Sequence, residues 1–478
     1  TEIWNKLSPQ FDNNTKATYE FERASLGPAI SMVLRGLRVD EKAVTIIRAP
    51  LKKKRLRLAR MLSLFANAVW DKDLNHNSPV QLKSLLYEYL ILPVQIKYDK
   101  GKQKVSTDRE ALEHLIEEYP RKTIIALRDI DKQLSVLASK RDGDGRMRCS
   151  YNVAGTETGR WSSSESPWRT GTNLQNITKD MRAIFIPDRG RTMFYADLQA
   201  AESRATAYLS GDDGYINAVE SSDLHTEVAK MVWPNMGWTE DNAQNRELAE
   251  RPYYGNFSYR DVCKRAGHGT NYGASANTVA KHTKIKVAHA TRFQLLYFGG
   301  VIPLSSLERW YKQDKKGGFS DLIELGEKIG TGTQVLVRIA GAFPGIRSWH
   351  TEVIKELQAT GNLITPFGRR RQFWGRLDDE HYARKAIAYL PQSTIGDLLN
   401  KGLYRVWCEL FKEGVEILGQ VHDAVLGQCP NDKIDELIPK IIKCLENPIE
   451  VRGKTMVIPS DAEVGDSWKN LKKWVPHA

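Results

Sequence analysis

Cysteine is scarce in this chain. The 478 residues include five cysteines, and no two of them stand in a Cys-x-x-Cys spacing, so neither a zinc site nor a disulfide framework is expected. No apolar run approaches the roughly 18 residues that a membrane-spanning helix needs, and no signal peptide opens the sequence. These absences disfavour a secreted disulfide-rich protein and a helical membrane protein, and they favour a reducing cytosol.

Acidic residues are outnumbered by basic ones. Lysine and arginine total 70 against 58 aspartates and glutamates, which gives a net charge of +12 and a pI of about 9.2. This excess favours a polyanionic partner, although charge alone separates nucleic-acid binders from other proteins only moderately. The length suffices for about two to four structural units with substantial cores.

A short apolar run near the middle of the chain ends in a carboxylate. Residues 193–197 read MFYAD, which predicts a buried strand that delivers Asp197 to an edge of a sheet. The alanine-rich segment that follows predicts a helix that carries Glu202. Carboxylates at strand ends commonly hold divalent cations, because Mg²⁺ takes oxygen ligands. A single aspartate is weak support for a metal site, so a second carboxylate is needed.

The second carboxylate lies in residues 415–428, which read VEILGQVHDAVLGQ. Two apolar runs flank His422 and Asp423, and this pattern predicts a β-hairpin with these two residues at its tip. Two strands that each present one aspartate could hold two metal ions about 3.5–4 Å apart, as two-metal phosphoryl-transfer sites require. Taken alone, the segment would be interpreted as an ordinary polar turn.

A third segment, residues 259–275, reads YRDVCKRAGHGTNYGAS. In a helix, four of its side chains recur every four residues and share one face: Arg260, Lys264, His268 and Tyr272. Two cations and two rings on one face suit a triphosphate beside a flat base; the alternative is a solvated basic surface. Each glycine of this segment disfavours a helix by roughly 1 kcal/mol, so close backbone approach or a loop is also open.

Together the three segments resemble motifs A, B and C of family A DNA polymerases, the bacterial polymerase I and phage type. DLQAAESR stands where that family has Asp-x-x-x-x-Glu-x-Arg, RDVCKRAGHGTNYG matches its fingers helix, and QVHDAVL matches its Val-His-Asp hairpin. The resemblance extends from about Tyr19 to the C-terminus. It implies a mixed α/β fold, the right-hand polymerase fold, with an antiparallel palm sheet and a mostly helical thumb and fingers.

The resemblance also implies an order of domains along the chain. These are an N-terminal segment that opens the polymerase domain (1–45), the thumb (46–145), the first part of the palm (146–210), the fingers (211–375) with an insertion near 276–340, and the second part of the palm (376–478). Nothing before the thumb is long enough for an exonuclease, so we expect no 3′-5′ proofreading domain in this chain.

Charged and polar stretches of the predicted thumb and fingers have expected roles of their own. The basic run LKKKRLRLAR at residues 51–60 would grip duplex phosphates, which positions DNA without reading its sequence. Residues 99–107 are expected to form a polar linker at the thumb tip. Three successive arginines at 369–371, after a glycine turn, suit backbone phosphates; the alternative is a solvated cluster.

By the same resemblance, Asp197 and Asp423 are the catalytic residues. Two Mg²⁺ ions, with Mn²⁺ as an alternative, would bind Asp197, Asp423 and the backbone carbonyl of Leu198. The incoming nucleotide would contact six residues: Glu202, His225, Arg260, Lys264, His268 and Tyr272. Among them, Glu202 would close the space that a 2′-hydroxyl needs and so favour dNTPs over rNTPs.

Primer and template would contact a further group of polar residues. Residues 155–176 form a Ser-, Thr- and Gly-rich stretch that predicts a loop, and within it TGRWSSS and NLQN resemble a family signature. Positions from this stretch, the later helix and the hairpin tip carry over as primer and template contacts: Arg160, Gln175, Asn176, Arg384, Gln392 and His422.

The implied function is template-directed DNA synthesis. The enzyme would add dNTPs to a primer 3′-hydroxyl by two-metal-ion phosphoryl transfer and release pyrophosphate. The implied partners are primer-template DNA, dNTPs, and a processivity factor or other replisome proteins. The protein would act as a monomer without a membrane partner, in a bacterial or phage-infected cytoplasm near the nucleoid.

Three positions depart from the family pattern. His268 stands where Phe or Tyr is usual, Ala424 replaces the usual Glu after the motif C aspartate, and Ala200 replaces the usual Gln of motif A. None of these changes removes a predicted metal ligand. We therefore expect an active enzyme with altered nucleotide selectivity.

Other classes of protein share some of these features. A single-subunit RNA polymerase would share the palm and both aspartates, but Glu202 and the sequence His-Thr-Glu at 225–227 argue against it. A non-catalytic DNA-binding paralogue would be basic, but it need not keep the aspartates together with Arg260 and Lys264. Reverse transcription stays open, because the template sugar is recognised through shape.

Overall fold

The computed structural model describes residues 2–99, 102–115, 119–254, 257–315, 318–330 and 335–476. Elements of the first part of the chain are α1 (Glu2–Leu7), α2 (Asn13–Arg35), β1 (Leu37–Val39), α3 (Glu41–Trp70), α4 (Pro79–Lys83), β2 (Ile96–Asp99), β3 (Lys102–Val105), α5 (Arg109–Glu113) and α6 (Arg121–Ala138). The Asp12 and Asp40 side chains cap α2 and α3 by accepting backbone N–H groups of the first turn, which stabilises the start of each helix.

The predicted thumb is built on two long helices. Helix α3, which includes the basic run at 51–60, packs against α6 around a separate apolar cluster that includes Leu62, Leu86 and Leu127. The predicted polar linker at the thumb tip is wrong for its described residues. Strands β2 and β3 pair in antiparallel register there, because backbone pairing satisfies polar groups that a linker would leave to water.

The next part of the chain contains β4 (Arg146–Met147), β5 (Cys149–Asn152), β6 (Ser162–Glu165), β7 (Phe185–Ile186), β8 (Arg191–Leu198) and α7 (Ala201–Ser210). The predicted strand that ends at Asp197 and the predicted helix after it are both present. The loop predicted for residues 155–176 is too long, because residues 162–165 within it form strand β6, which pairs with β5. Cross-strand contacts override the weak β-propensity of serine at these positions.

The following part is mainly helical. Its elements are α8 (Asp213–Glu220), α9 (Leu224–Val232), α10 (Asn242–Ala249), β9 (Pro252–Tyr254), β10 (Phe257–Ser258), α11 (Tyr259–Asn271), α12 (Ala276–Thr283), α13 (Val287–Phe298), β11 (Gly300–Pro303), α14 (Leu304–Gln313), α15 (Phe319–Leu325), β12 (Glu327–Ile329), β13 (Leu336–Ile339), α16 (Pro344–Thr360), β14 (Asn362–Ile364) and β15 (Arg370–Gln372). Within the predicted insertion, β11, β13 and β12 form a three-stranded sheet in that order. Its glycine-rich stretches, 315–318 and 330–334, lie largely outside the described residues.

The last part of the chain contains α17 (Glu380–Leu410), β16 (Glu416–Val421), β17 (Ala424–Pro430), α18 (Ile434–Leu445), β18 (Ile449–Val451), β19 (Lys454–Met456), β20 (Ser460–Gly465) and β21 (Leu471–Lys473). Helix α18 packs against strands β8, β17 and β20, and α17 packs on α18 and α7. In the described part of the chain, no helix combines the length and apolar character needed to cross a membrane.

A five-stranded antiparallel sheet joins distant parts of the chain in the order β16–β17–β8–β20–β21. Its side chains alternate between two apolar clusters: Phe194 and Ala196 face one cluster, and Met193 faces the other. Both faces of β8 are therefore covered by the core. The strand can expose a polar side chain only at its end, which is where Asp197 lies.

Candidate active site

Asp197 and Asp423 meet at one edge of the central sheet. In the strand register, Asp197 lies opposite Ala424 on one side and opposite Asp461 on the other. The Leu198 N–H donates a hydrogen bond to the Asp423 carbonyl oxygen at 3.2 Å, which ties the end of β8 to the neighbouring hairpin. The two aspartates, which are 226 positions apart in the sequence, are thus neighbours in space.

The predicted hairpin is present, and His422 and Asp423 form its tip. Val421 pairs with Ala424 across the turn. His422 has φ of 56°, a left-handed backbone conformation that is uncommon for residues other than glycine. Such conformations persist where the surrounding structure holds them, and they cluster at functional sites.

Electrostatic repulsion is concentrated at this edge of the sheet. Asp197 is exposed at the strand end, but surrounding protein atoms partly desolvate its carboxylate. This desolvation, together with the negative charges of Asp423 and Glu463, raises the pKa of Asp197 to about 6. Burial also raises the pKa of Asp423, although Arg160 opposes that shift. Carboxylates held together in this way favour the binding of a cation.

A cavity of about 340 Å³ opens beside Asp423. Eight residues line it: Arg160, Trp161, Gln175, Asn176, Glu202, Gln420, His422 and Asp423. They come from the loop before β6, a short turn at 174–176, the first turn of α7 and the hairpin tip. Six of the eight are predicted site residues, which the fold brings together from four separate stretches of sequence.

Helix α11 carries the face predicted for the nucleotide. The segment is helical in spite of its glycines, and a capping box between Ser258 and Asp261 stabilises its start. Three of the four predicted side chains lie within α11, and Tyr272 forms its C-terminal cap. At about 1.5 Å per residue, the face spans about 18 Å from Arg260 to Tyr272.

The C-terminal end of this face reaches the cavity. His268 Nδ1 lies 3.2 Å from Glu202 Oε2, and the ring of His268 packs edge-on against that of Tyr272 with centroids 5.0 Å apart. Burial, and then the neighbouring Glu202 carboxylate, raises the pKa of Tyr272 well above its ordinary value. Glu202 therefore lies between Arg160 on the palm side and His268 on the helix side.

The N-terminal end of the face is held by an aspartate. Arg260 forms a bidentate pair with Asp223, with Nε–Oδ2 and Nη2–Oδ1 distances of 3.0 and 3.1 Å. Asp223 also caps α9 by accepting the N–H groups of His225 and Thr226. Although burial works to raise the pKa of Asp223, its hydrogen bonds to Arg260 and Thr226 hold that pKa below its ordinary value.

His225 lies on α9 beside this ion pair. Burial lowers the pKa of His225 to about 4, and the adjacent Arg260 and Lys264 cations oppose its protonation as well. The imidazole is therefore neutral at pH 7 in this structure. It can donate or accept a hydrogen bond, but it carries no charge for a phosphate group.

The family model described as DNA polymerase family A matches residues 51–313 and 324–470, which is most of the chain. The chain belongs to DNA polymerase family A. Residues 314–323, within the predicted insertion, lie outside the match.

Two bacterial DNA polymerases are among the similar proteins. The thermostable DNA polymerase I of Thermus filiformis is 25% identical over 97% of this chain and 49% of its own length. DNA polymerase I of Caldicellulosiruptor bescii is also 25% identical, over 98% of this chain and 49% of its own length. The chain thus spans about half the length of the curated relatives that it matches.

Among solved structures, the POL domain of Pol1 from M. smegmatis, in complex with DNA primer-template and dNTP, is similar in fold. It aligns with a TM-score of 0.68 and 23% identity over 94% of this chain and 70% of its own. The mixed α/β right-hand fold predicted from the sequence is confirmed, with the antiparallel five-stranded sheet as its palm. The predicted domain boundaries stay predictions.

The remaining predicted site residues lie away from the cavity lining. Arg384 and Gln392 are both on α17, where Arg384 pairs with Glu380 at 2.9 Å. Lys264 lies on α11 and is exposed. These residues do not line the cavity beside Asp423, so their assignment to nucleotide or DNA stays a prediction.

The expectation that the arginines at 369–371 face phosphates is wrong for Arg369. This residue is buried at 8% exposure, and it pairs with Asp397 and Glu22 at 2.7 and 2.6 Å. Arg370 and Arg371 also form ion pairs with carboxylates. A buried guanidinium needs such partners, and the arginine therefore links α17 to the N-terminal helix α2.

Sequence reasoning missed several residues of the site. Trp161 and Gln420 line the cavity, Asp223 holds Arg260, and Glu463 contributes to the raised pKa of Asp197. Trp161 and Gln420 stand inside recognised motifs, so proximity in sequence could have found them. Glu463 had no such signal, because its place beside Asp197 depends on the order of strands in the sheet.

The donor set fits a hard divalent cation. Among the described residues, no group of three or more His, Cys, Asp and Glu side chains is placed to hold a metal ion, and the predicted ligands are Asp197, Asp423 and one backbone carbonyl oxygen. Mg²⁺ usually keeps several waters and is bound through one or two carboxylates together with substrate phosphates. A site of two carboxylates with raised pKa values meets that description.

Proposed function

We propose that this chain is a template-directed DNA polymerase that adds dNTPs to a primer 3′-hydroxyl and releases pyrophosphate. The observation that carries the proposal is the meeting of Asp197 and Asp423 at the edge of the palm sheet, beside a cavity lined by polar side chains. The bacterial relatives named DNA polymerase I support it, as does the similar Pol1 domain that binds primer-template and dNTP. Their bacterial origin also supports action in the cytoplasm.

Asp197, Asp423 and the carbonyl of Leu198 would hold two Mg²⁺ ions, or Mn²⁺ in their place. When bound, such ions lower the pKa of the attacking hydroxyl and stabilise the charge of the leaving pyrophosphate. The carboxylates contribute by placing negative charge at a rigid strand end, so that little rearrangement is needed to form the site.

Charges on the fingers side would bind the triphosphate. Arg260 and Lys264, one turn apart on α11, present cations from a rigid helix, and such preorganised charge stabilises the charge that develops during phosphoryl transfer. His225, beside these cations on α9, would donate a hydrogen bond to a phosphate oxygen. Arg260 must exchange the Asp223 carboxylate for phosphate when the nucleotide binds.

The cavity side would receive the sugar and the primer terminus. Glu202, held between Arg160 and His268, would fill the space that a 2′-hydroxyl needs, and Tyr272 would lie under the nascent base pair. Gln175, Asn176 and His422 would contact primer or template. Arg384 and Gln392 would approach the minor groove, where all base pairs offer similar acceptors, so contacts test pair shape rather than sequence.

Primer extension tests this function. Wild-type protein, Asp423→Asn and the matched variant Asp461→Asn are incubated with primer-template DNA, Mg²⁺ and either dNTPs or rNTPs. We expect wild type to add the templated dNTP, Asp423→Asn to be slower by at least about a hundredfold, and Asp461→Asn to stay within about tenfold of wild type. Asp461 is the partner of Asp197 on the adjacent strand β20 but is not a proposed ligand.

No extension by the wild type, with duplex binding intact, would favour a non-catalytic DNA-binding protein. Efficient rNTP addition would contradict the role given to Glu202. Equal losses in both aspartate variants would mean that general negative charge, rather than ligation by Asp423, supports activity.

A further inference from the structure

Arg160 links two carboxylates that belong to different halves of the proposed site. Its Nη2 lies 3.1 Å from Asp423 Oδ1 and 3.1 Å from Glu202 Oε1. Asp423 is a proposed metal ligand, and Glu202 is the proposed selector of the sugar. A single guanidinium nitrogen thus occupies the junction between the metal site and the nucleotide site.

The backbone of Arg160 is anchored, while its side chain can change partners. Thr156 Oγ1 donates to the Arg160 carbonyl oxygen at 2.7 Å, and Asn400 Nδ2 on α17 donates to the Gly159 carbonyl oxygen at 2.9 Å. The next residue, Trp161, is 4% exposed. The Arg160 side chain is 31% exposed, so it can swing about a fixed loop without unfolding it.

The present contacts leave the guanidinium incompletely bonded. Arg160 Nε is buried and, within the part of the chain that the structure describes, finds no hydrogen-bond acceptor. A buried donor without an acceptor is destabilising, and arginine has five donors to place. A position that offers more acceptors would therefore attract this side chain, and the phosphates and base edges of a primer offer them.

A metal ion and Arg160 compete for the charge of Asp423. The guanidinium supplies one positive charge at Asp423 Oδ1, where a divalent ion would supply two. Metal binding at Asp423 is therefore weakened for as long as Arg160 stays in place.

We propose that Arg160 is a resident counter-cation whose release couples primer binding to metal binding. The proposal rests on the proposed polymerase function. In the DNA-free protein, Arg160 holds Asp423 and Glu202; a primer terminus that engages Arg160 frees Asp423 for the metal ion. By thermodynamic linkage, primer-template and metal ion then tighten each other's binding by the same factor.

Mn²⁺ binding, followed by electron paramagnetic resonance, tests this coupling without turnover. Wild type, Arg160→Gln and the control Arg452→Gln are titrated with Mn²⁺, alone and with primer-template whose primer ends in a dideoxynucleotide. Arg452 pairs with Glu352 on the surface. We expect Arg160→Gln to bind Mn²⁺ about tenfold tighter than wild type without DNA. DNA should tighten binding by a similar factor in wild type and Arg452→Gln, and by less than about twofold in Arg160→Gln.

Equal Mn²⁺ affinities of wild type and Arg160→Gln without DNA would overturn the coupling, and so would tightening by DNA that persists in Arg160→Gln. Arg160→Lys keeps a positive charge but loses the guanidinium group that can contact both carboxylates. Its Mn²⁺ affinity should therefore lie between those of wild type and Arg160→Gln. If Arg160→Gln is unfolded, Arg160→Lys replaces it in the test. Primer extension by the same wild-type preparation tests the polymerase function separately. Extension with unchanged Mn²⁺ affinities would leave a polymerase without this coupling, whereas lack of extension would overturn both.

Discussion

The palm and fingers sides of the proposed site carry opposite charges. On each side, a residue of opposite sign forms an ion pair with one of the charged groups. On the palm side, carboxylates crowd around the end of β8, and Arg160 is the cation that contacts Asp423. On the fingers side, cations line α11, and Asp223 binds Arg260. Each set of charges is suited to a substrate, and in the protein alone residues of opposite sign partly neutralise it: Arg160 on the palm side, and Asp223 with the more distant Glu250 on the fingers side.

The two sides differ in how firmly the counter-charge is bound. Asp223 makes a bidentate pair with Arg260 and also caps α9, so its contacts are complete. Arg160 has a buried Nε without an acceptor among the described residues. We therefore expect Arg160 to be released from the palm site more readily than Asp223 is displaced by phosphate on the fingers side.

Removing the charge of Asp223 should change nucleotide binding. Asn caps a helix as well as Asp does, so Asp223→Asn keeps α9 intact while it frees Arg260 from a competing carboxylate. We expect the KM for dNTP to fall by about threefold to tenfold, with kcat within about twofold, because charge-assisted pairs of this kind contribute about 1 kcal/mol or more. Single-nucleotide incorporation kinetics measure both constants.

Two variants sharpen that result. Arg246, which approaches Asp223 at 3.9 Å, provides the control Arg246→Gln, which should leave KM unchanged. Asp223→Ala removes the cap as well as the charge and should lower the free energy of unfolding by about 1 kcal/mol. A rise in KM for Asp223→Asn would mean that Asp223 positions Arg260 rather than competing for it.

The contact between His268 and Glu202 joins the two sides of the cleft, and breaking it should alter sugar selection. His268→Phe restores the residue type usual in the family and removes the 3.2 Å contact to Glu202. With Glu202 held less firmly, we expect rNTP incorporation relative to dNTP to rise about threefold, since one contact of this kind contributes about 0.5–1.5 kcal/mol. Competition between dNTP, rNTP and ddNTP measures the change.

His282, exposed on α12, provides the matched control His282→Phe, which should select nucleotides as the wild type does. We expect ddNTP discrimination to shift in His268→Phe as well. Identical discrimination in the wild type and His268→Phe would contradict the link between this departure from the family pattern and nucleotide selectivity.

Opposite pH dependences of stability should distinguish the two sides, as the smallest of these effects. The pKa of His225 falls from 6.5 to about 4 on folding, so its stabilising contribution is present above pH 6.5 and is lost as the pH falls toward 4. The pKa of Asp197 rises from 3.8 to about 6, so its contribution is present at low pH and is lost as the pH rises through 6. Each contribution is about 1 kcal/mol after solvent screening.

Urea unfolding in metal-free buffer between pH 4.5 and 7.5 would measure both contributions. His225→Gln should lessen the loss of stability on the acid side, and Asp197→Asn should raise the free energy of unfolding at pH 7.5. The exposed variant His282→Gln should follow the wild type. Unchanged pH profiles in both site variants would contradict the assigned pKa shifts.

Local patterns were enough to predict most elements of the site. The apolar run before Asp197, the two runs around His422 and Asp423, and the four-residue spacing along α11 are all periodic signals that depend on neighbouring residues. They predicted the strand, the hairpin and the helix, and their combination identified the family. Composition alone failed at residues 99–107 and 155–176, where polar sequences form paired strands.

Short-range signals in the sequence are enough to predict which residue types stand at the ends of which elements. The contact of Arg160 with Asp423, 263 positions away, and the pairing of Arg260 with Asp223, 37 positions away, depend on the tertiary structure. It also decided that Arg369 is buried against Asp397 and does not face solvent. Such contacts depend on which surfaces pack together, and packing is set by the whole core, which no local window of sequence contains.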